Sequence, residues 1–389
     1  MKYRIISVFL CLIVLLCACA DNEDEISVKK RTVLVYVAAE NTLRSLALND
    51  FVEMKEGTEY INAAENNMLV YIDTGSEPRL VRLTKDKSGE VVEELISEYE
   101  SQNSLDVSVM KDIMSTAFQK YPADSYGLVL WSHGEGWLPN ETNLRWWGQD
   151  GNNFMEIAQL HEALQAAPHF DFIYFDACFM NSVEVVYELR DCADYFIGCP
   201  TETPGPGAPY QRTVPLLFSK EDAPVKVAQD YFLYYKDLYD ENVRPSNINW
   251  TGGVSIGVIK SDELDNLAMA TAKLLPKYIQ NKQSIDVTDV MCYDKRSYYK
   301  YYYDLDRFIY KLTAGNSDYA EWKSVFDKAA VLWLSTPKNF SGLIKGLFTM
   351  DENAGGLSTY IPRSYSSSLN EAYRANAWYQ AAGWPQTGW

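Results

Sequence analysis

The sequence is poor in several residue types that would mark particular functions. Lys and Arg number 35 against 53 Asp and Glu, so the formal net charge is −18. Binding to nucleic acid depends on Lys and Arg that neutralise phosphates, and this excess of acid argues against a nucleic-acid partner. It favours a cationic partner or substrate, or serves only to keep the surface soluble. Histidine is scarce too, since only His133, His161 and His169 occur.

Cysteine and metal-binding patterns are equally sparse. Three of the seven Cys fall within the first 19 residues, which leaves Cys178, Cys192, Cys199 and Cys292, and no CxxC motif occurs. Their spacing is typical neither of a disulfide framework nor of a metal site, although Cys192 and Cys199 could pair. Acids spaced as in an EF-hand are missing as well. The sequence therefore predicts no required metal and no cofactor.

Long apolar runs are confined to the N-terminus. Lys2 and Arg4 precede an almost purely apolar stretch over residues 5–16, which is too short to span a membrane and is typical of a signal peptide. The closing Leu-Cys-Ala-Cys at 16–19 resembles a bacterial lipobox. This resemblance implies that residues 1–18 are removed and that Cys19 carries lipid. The alternative is an ordinary secretory peptide with an incidental Cys.

The segment 19–30 is predicted to be an acidic tether. Its Asp-Asn-Glu-Asp-Glu cluster at 21–25 resembles the export signal of some surface lipoproteins of Bacteroidetes. The resemblance implies an outer-membrane lipoprotein exposed at the cell surface, while the plainer interpretation is a solvated linker.

From residue 31 the chain alternates between strand and helix patterns. Short apolar, β-branched runs predict strands at 32–37, 68–72, 127–131, 170–175, 253–259 and 356–361. Helical spacing of apolar residues predicts helices near 43–54, 107–121, 155–166, 181–189 and 224–238. Residues 135–153 and 201–209, rich in Gly, Asn or Pro, are predicted to be loops. Such alternation indicates a mostly parallel sheet with helices on both faces.

Two reactive side chains follow buried strands. His133 comes directly after the strand at 127–131, and Cys178 after the strand at 170–175. The carboxyl ends of parallel strands meet at one sheet edge, so these residues are expected to lie together. A thiol needs a base, and His suits that role near neutral pH. Gly134 would let a substrate carbonyl approach the backbone. A buried structural Cys and a capping His remain the alternative.

Three segments resemble the clostripain-related cysteine peptidases, peptidase family C11. They are Trp-Ser-His-Gly-Glu-Gly-Trp at 131–137, Asp-Ala-Cys at 176–178 and Pro-Gly-Pro-Gly-Ala-Pro-Tyr at 204–210. Tyr-Val-Ala-Ala-Glu-Asn at 36–41 and Gly-Leu-Ser-Thr-Tyr-Ile-Pro at 356–362 also look similar to the family, and the segments follow its order along the chain.

The resemblance implies a caspase-like three-layer α/β/α sandwich with a mostly parallel central sheet and an added C-terminal helical region. The catalytic core is expected over 31–235, and 236–389 would complete the peptidase domain. The implied activity is that of a cysteine endopeptidase cutting after Arg, or Lys, in protein and peptide substrates. Cys178 would be the nucleophile and His133 the general base and then acid. The N–H groups of Gly134 and Cys178 would form the oxyanion hole.

The resemblance also implies a substrate pocket for a basic P1 side chain. Asp176 would pair with that cation, and Gly205 and Gly207 would border the pocket. Some relatives carry a second acid between these glycines, where this sequence has Pro206. Glu202 is a possible substitute for the missing acid.

Self-cleavage between Arg145 and Trp146 is the last expectation, because some relatives cut themselves in the equivalent loop. Alternatively, Arg145 only stacks on Trp146 or Trp147. Two other functions stay open: a surface binding protein of weak catalytic power on a peptidase fold, and a non-proteolytic Cys-dependent acyl hydrolase.

Overall fold

The computed structural model describes residues 29–137, 146–296 and 300–389. The expected signal peptide, Cys19 and Arg145 lie outside the described residues. Across the three described ranges, no helix has both the length and the apolar character needed to cross a membrane.

Strands and helices are interspersed along the described part of the chain. The strands are β1 (Lys29–Ala38), β2 (Asn66–Asp73), β3 (Arg79–Lys85), β4 (Val91–Glu98), β5 (Ala123–Trp131), β6 (Trp147–Asp150), β7 (Asn153–Met155), β8 (Phe170–Asp176), β9 (Ala193–Gly198), β10 (Ser255–Lys260), β11 (Tyr303–Asp304), β12 (Ala330–Ser335), β13 (Lys338–Ser341), β14 (Gly346–Thr349) and β15 (Ser358–Thr359). The helices are α1 (Arg44–Thr58), α2 (Val107–Lys120), α3 (Ile157–Leu164), α4 (Val183–Glu188), α5 (Tyr210–Leu217), α6 (Ala223–Leu238), α7 (Leu264–Tyr278), α8 (Leu305–Thr313), α9 (Ser317–Ala329), α10 (Ser367–Arg374) and α11 (Ala377–Ala381).

The described part of the chain builds one nine-stranded sheet in the order β12-β10-β9-β8-β5-β1-β2-β3-β4. The strands from β9 to β2 are parallel to one another. At one edge β3 pairs antiparallel with β2 and β4 pairs antiparallel with β3, and at the other β10 pairs antiparallel with β9 and β12 with β10. Two strands that follow residue 236 therefore belong to the same sheet.

Residues of β1 alternate between the two faces of this sheet. Val33, Val35 and Val37 join a core with residues of α1, α5 and α6. Leu34 and Tyr36 join the opposite core with residues of α2, α3, α4 and α7. Both faces of the central strands are covered, so apolar residues follow one another without alternation in the middle of each strand. The expected three-layer α/β/α sandwich with a mostly parallel sheet is confirmed.

Some elements differ from the sequence-based expectation. The hairpin of β3 and β4 was not predicted, because β4 lies at the sheet edge and its partly exposed residues form no apolar run. The expected loop at 135–153 contains β6 and the first residue of β7. These two short strands pair with each other, and the fully buried Trp147 anchors them. The strand expected over 356–361 is reduced to β15, which pairs with β11 and forms one further bridge from Ser358 to Ser182.

Candidate active site

A cavity of about 400 Å³ lies at the carboxyl ends of β5 and β8. These strands are paired in parallel, with Trp131 opposite Asp176 at their last register position. The residues that follow them therefore emerge side by side. Of the residues singled out from the sequence, those lining this cavity are His133, Gly134, Trp146, Asp176, Cys178, Glu202, Gly205 and Gly207.

Two hydrogen bonds fix the backbone around His133, and a third contact is made by its imidazole ring. Ser132 Oγ donates to the carbonyl oxygen of Ala38 at 2.6 Å, and Gly148 N donates to that of His133 at 2.9 Å. The Nε2 atom of His133 lies 2.9 Å from Thr42 Oγ1. Burial lowers the pKa of His133, so its imidazole is neutral at neutral pH and one ring nitrogen can accept a proton.

The sulfur of Cys178 accepts a hydrogen bond from the backbone N–H of Thr203 at 3.2 Å. Burial, with a contribution from the negative charge of Glu202, raises the pKa of the Cys178 thiol. The resting group is therefore a thiol, which must lose its proton before it can attack. Cys192, Cys199 and Cys292 are also free thiols but are buried, whereas Cys178 is partly exposed. Cys192 and Cys199 do not pair.

The chain turns sharply after Cys178. Phe179 adopts a left-handed backbone conformation with φ of 60°, which is strained for a residue with a side chain. Its ring stacks on Tyr302 at a centroid distance of 5.2 Å, and its N–H donates to the carbonyl oxygen of Thr201 at 2.9 Å. These contacts hold the turn that ends the β8 segment at the cavity.

Gly134 and Cys178 are in backbone contact. A Cβ atom on Gly134 would lie 2.6 Å from the carbonyl oxygen of Cys178 and 3.1 Å from its nitrogen. No side chain fits between the two segments. The residues that follow β5 therefore pack directly against the backbone of Cys178.

An ion-pair network supports the segment after Gly134. Arg296 pairs with Glu135 and, at 2.9 Å, with Asp294. Burial raises the pKa of Glu135 to about 7, although the positive charge of Arg296 opposes the shift. The phenol of Tyr302 also donates to the carbonyl oxygen of Glu135. The sequence analysis did not identify these residues, since their pairing joins distant parts of the chain.

The cavity has an acidic side at Asp176. The Oδ2 atom of Asp176 accepts hydrogen bonds from Ala208 N and Tyr210 Oη, both at 2.9 Å. Its Oδ1 atom has no hydrogen-bond partner among the described residues. Burial raises the pKa of Asp176 to about 6. Gly207, beside it, has φ of 68°, a conformation that favours glycine.

Glu202 joins the cavity to the hairpin formed by β13 and β14. Its Oε1 atom accepts a hydrogen bond from Gly342 N at 3.0 Å, and burial raises the pKa of its carboxyl. Leu343, at the tip of that hairpin, lines the cavity as well. Glu202 is thus within the site but already bonded to the hairpin.

Trp146 marks the point where the described chain resumes after residue 137. Its carbonyl oxygen accepts a hydrogen bond from Glu135 N at 2.8 Å, and its ring stacks on Phe154 at 4.1 Å. Trp146, the residue that follows the expected cleavage point, therefore lines the cavity. Arg145 lies outside the described residues.

A second acid, Asp50, lies close behind Gly207 and was not identified from the sequence. It lies on α1 and is only 2% exposed. Helical spacing could have revealed it in the sequence, because Asp50 falls on the same face of α1 as Ala47 and Met54, which are buried. For Thr42, in contrast, only its position shortly after β1 in the sequence indicated a place in the site.

Away from the cavity, the described residues contain one group of side chains spaced as metal ligands, namely His161, Asp191 and Cys192. His161 Nε2 lies 2.8 Å from Asp191 Oδ1, and Gln165 Nε2 donates to Asp191 Oδ2 at 2.9 Å. These mutual hydrogen bonds account for the grouping.

Comparison with known proteins relates the whole described fold to one family. The model of the clostripain family, Peptidase_C11, matches residues 35–389. A secreted C11 cysteine protease from Bacteroides thetaiotaomicron, solved with an irreversible peptide inhibitor, has 47% identity and a TM-score of 0.84, covering 92% of this chain and 99% of that one. An inactive zymogen C11 protease from Parabacteroides distasonis has 34% identity and a TM-score of 0.79 over the same shares.

Clostripain of Hathewaya histolytica is 26% identical over 223 residues. That match covers 47% of this chain and 41% of clostripain, so the chain spans well under half of this relative. The family match extends over most of the chain and includes both motifs at the cavity. The chain therefore belongs to the clostripain family of C11 cysteine peptidases.

Proposed function

We propose that this protein is a cysteine endopeptidase that cleaves after Arg, with Cys178 as nucleophile and His133 as general base. The observation that carries the proposal is that His133, Gly134, Cys178 and Asp176 line one cavity at the ends of two paired strands. The site thus combines a base, a thiol, a close backbone approach and a buried acid.

The chemistry starts from a neutral pair, because burial lowers the pKa of His133 and raises that of Cys178. When substrate excludes water, the imidazole takes the thiol proton and the thiolate sulfur attacks the scissile carbonyl carbon. The N–H groups of Gly134 and Cys178 would stabilise the resulting oxyanion. The imidazolium then donates its proton to the leaving amine, and a thioester remains on Cys178. Water, deprotonated by His133, hydrolyses that thioester and restores the thiol.

Preference for Arg rests on the buried carboxyl of Asp176. Its unbonded Oδ1 atom can accept a charge-assisted hydrogen bond, and the planar fork of a guanidinium suits a carboxylate better than an ammonium does. Glu202 adds negative charge to the cavity from the side of the hairpin, which would also favour a cationic substrate.

We also propose that the enzyme activates itself by cleavage between Arg145 and Trp146. Arg145 satisfies the proposed specificity, and Trp146 lines the cavity. The Parabacteroides distasonis relative is described as an inactive zymogen, which supports an activation step in this family. Purified protein should separate into two fragments on a denaturing gel, one beginning at Trp146, while Cys178→Ala and Arg145→Ala proteins stay whole. Full activity from an uncut chain would contradict this proposal.

The third part of the proposal is attachment to the outer membrane through lipid on Cys19, with exposure at the cell surface. The lipobox-like end of the signal sequence and the secreted relative from Bacteroides thetaiotaomicron support it. The wild-type protein should partition into detergent and incorporate a fatty-acid label, whereas Cys19→Ser should lose both properties. An unlabelled wild-type protein would argue for simple secretion.

One experiment separates the proposed activity from its alternatives. A chloromethylketone probe carrying a peptide that ends in Arg should label Cys178, and the matched probe ending in Leu should label it far more slowly. Equal labelling by both probes would favour an acyl hydrolase of other specificity. Absence of labelling by either, with an intact Cys178, would favour a binding protein without turnover.

A further inference from the structure

Two buried carboxyl groups meet behind Gly207. Asp50, on α1, is 2% exposed, and Asp176, at the end of β8, is 4% exposed. A Cβ atom on Gly207 would lie 2.9 Å from Asp176 Oδ2 and 3.0 Å from Asp50 Oδ2. Both acids therefore border the same glycine of the pocket loop.

Each carboxyl is held by neutral donors. Trp131 Nε1 donates to Asp50 Oδ2 at 2.7 Å, and Asp176 Oδ2 receives the bonds from Ala208 and Tyr210 described above. Since Trp131 and Asp176 both line the cavity, the Asp50 carboxyl lies directly behind its wall. Asp176 Oδ1 is the buried, unpartnered atom on that side.

No basic side chain offsets these two acids within the described residues. The other titratable groups facing them are Glu53, which accepts from Tyr210 N at 3.1 Å, the thiol of Cys199, and the phenols of Tyr174, Tyr210, Tyr231 and Tyr235.

The basic residues on or against α1 have other partners, and the first of them, Arg44, donates to Ser76 Oγ at 3.2 Å. Lys55 and Arg79 pair with Glu93 at 3.0 and 3.7 Å, and Arg212 pairs with Asp230. Arg82, on β3, pairs with Glu94 at 3.3 Å. Asp176 in the pocket wall and Asp50 behind it therefore form a pair of acids to which no cation is bonded among the described residues.

Two neighbouring carboxylates without a counter-charge cannot both ionise at low cost, so the empty pocket retains a proton on the pair. The pKa values of the two acids agree with the retention of one proton. Burial, reinforced by the charge of Asp176, raises the pKa of Asp50 to about 9, and burial raises that of Asp176 to about 6. Near neutral pH, Asp50 is the protonated member.

We propose that Asp50 is the second carboxyl of the P1 pocket and that a cationic P1 side chain binds with release of the proton held by the Asp50–Asp176 pair. This inference rests on the proposed cleavage after Arg. On binding, the O–H bond of Asp50 breaks, the proton passes to water, and one positive charge enters as another leaves. The pocket keeps the same net charge, and the guanidinium fork finds two carboxylates instead of one.

Proton release can be measured on the full mature chain carrying Cys178→Ala, which cannot turn substrate over. Isothermal titration with a blocked peptide that has Arg at P1, in two buffers of different ionisation enthalpy at pH 7, reports the protons released per peptide bound. We expect a release approaching one proton. Affinity should rise with pH between 6 and 9, by up to about tenfold per pH unit, as linkage requires when the complex holds fewer protons.

Removal of the second carboxyl supplies the matched comparison. With Asp50→Asn added to Cys178→Ala, the Kd for the Arg peptide should rise by about tenfold, as expected for a lost charged hydrogen bond, and proton release should vanish. Glu56→Gln, an exposed position on the same helix, should change neither quantity.

The outcomes distinguish this inference from the function on which it rests. Tight Arg-selective binding without proton release, in the protein that retains Asp50, would overturn the inference and leave the proposed specificity intact. That arm needs no substitution in the pocket, so it remains decisive even if Asp50→Asn does not fold. Equal affinity for peptides with Arg and Leu at P1 would overturn both.

Discussion

Thr42 Oγ1 lies 2.9 Å from Nε2 of His133, so a hydroxyl from the turn after β1 fixes the ring of the proposed base. With Nε2 engaged there, Nδ1 is the nitrogen left for proton exchange with the thiol. Thr42→Val, which keeps the shape and removes the hydroxyl, should lower kcat by about two- to tenfold, the value of one neutral hydrogen bond, with little change in KM. Steady-state kinetics on an Arg peptide–dye substrate would check this.

The conservative variant Thr42→Ser should recover most of the lost kcat, because it restores the hydroxyl. If Thr42→Val and Thr42→Ser were equally impaired, the methyl group and not the hydrogen bond would be the important feature.

The contact between Gly134 and Cys178 leads to a second prediction. Gly134→Ala would place a methyl group 2.6 Å from the carbonyl oxygen of Cys178 and push apart the two N–H groups of the proposed oxyanion hole. We expect kcat/KM to fall by about 10²-fold or more, comparable to the loss of an oxyanion donor. Unchanged turnover in a folded Gly134→Ala protein would place the oxyanion hole elsewhere.

Substitution of Cys178 and of two other cysteines should separate the nucleophile from structural thiols. Cys178→Ala should lower kcat by about 10³-fold or more while the thermal midpoint stays near that of the wild type. Cys192→Ser and Cys292→Ser, at buried positions outside the cavity, should retain most of the rate. Measurable turnover by purified Cys178→Ala would exclude Cys178 as the nucleophile.

The resting protonation state can be tested by alkylation of the free enzyme. Because the pKa of Cys178 is raised and that of His133 lowered, the pair should be neutral, and reaction with iodoacetamide should accelerate only as pH rises past about 8.5. Tryptic mass spectrometry would follow the modification of Cys178. A rate plateau beginning near pH 5 would instead indicate a thiolate–imidazolium pair.

Asp176→Asn should change specificity more than folding. A lost charged hydrogen bond corresponds to about 1.5–3 kcal/mol, so kcat/KM for Arg substrates should fall by about one to two decades, mainly through KM. The same substitution should hardly affect substrates with Leu at P1. Equal losses on both would mean that Asp176 supports the loop through Ala208 and Tyr210.

The central sheet and the family could be predicted because their signals are local. Each central strand is buried on both faces and so forms a continuous apolar run, and the His and Cys motifs directly follow two such runs. The family and its peptidase class are confirmed, as is the sandwich fold. Edge elements such as β4 have partly exposed, polar residues and carry no comparable signal.

Within the site, the residues that sequence analysis missed act through contacts between distant segments. Thr42 meets His133 across 91 positions, and Arg296 meets Glu135 across 161. Asp50 was obscured for a different reason. Its apolar neighbours Leu48 and Val52 are 44% and 54% exposed, and the buried side of α1 includes the acid instead.

The order of strands in the sheet determines how the two fragments would remain associated after cleavage at Arg145. All strands up to β5 would belong to one fragment, and β8, with every strand after it, to the other. Yet β5 and β8 are neighbours in the middle of the sheet, paired from Gly127–Phe172 to Trp131–Asp176. The fragments would share a hydrophobic core, so the cut enzyme should elute as one particle in native chromatography. After denaturation, however, its two pieces must find each other by diffusion. Recovery of activity should then depend on protein concentration, whereas refolding of the uncut chain should not.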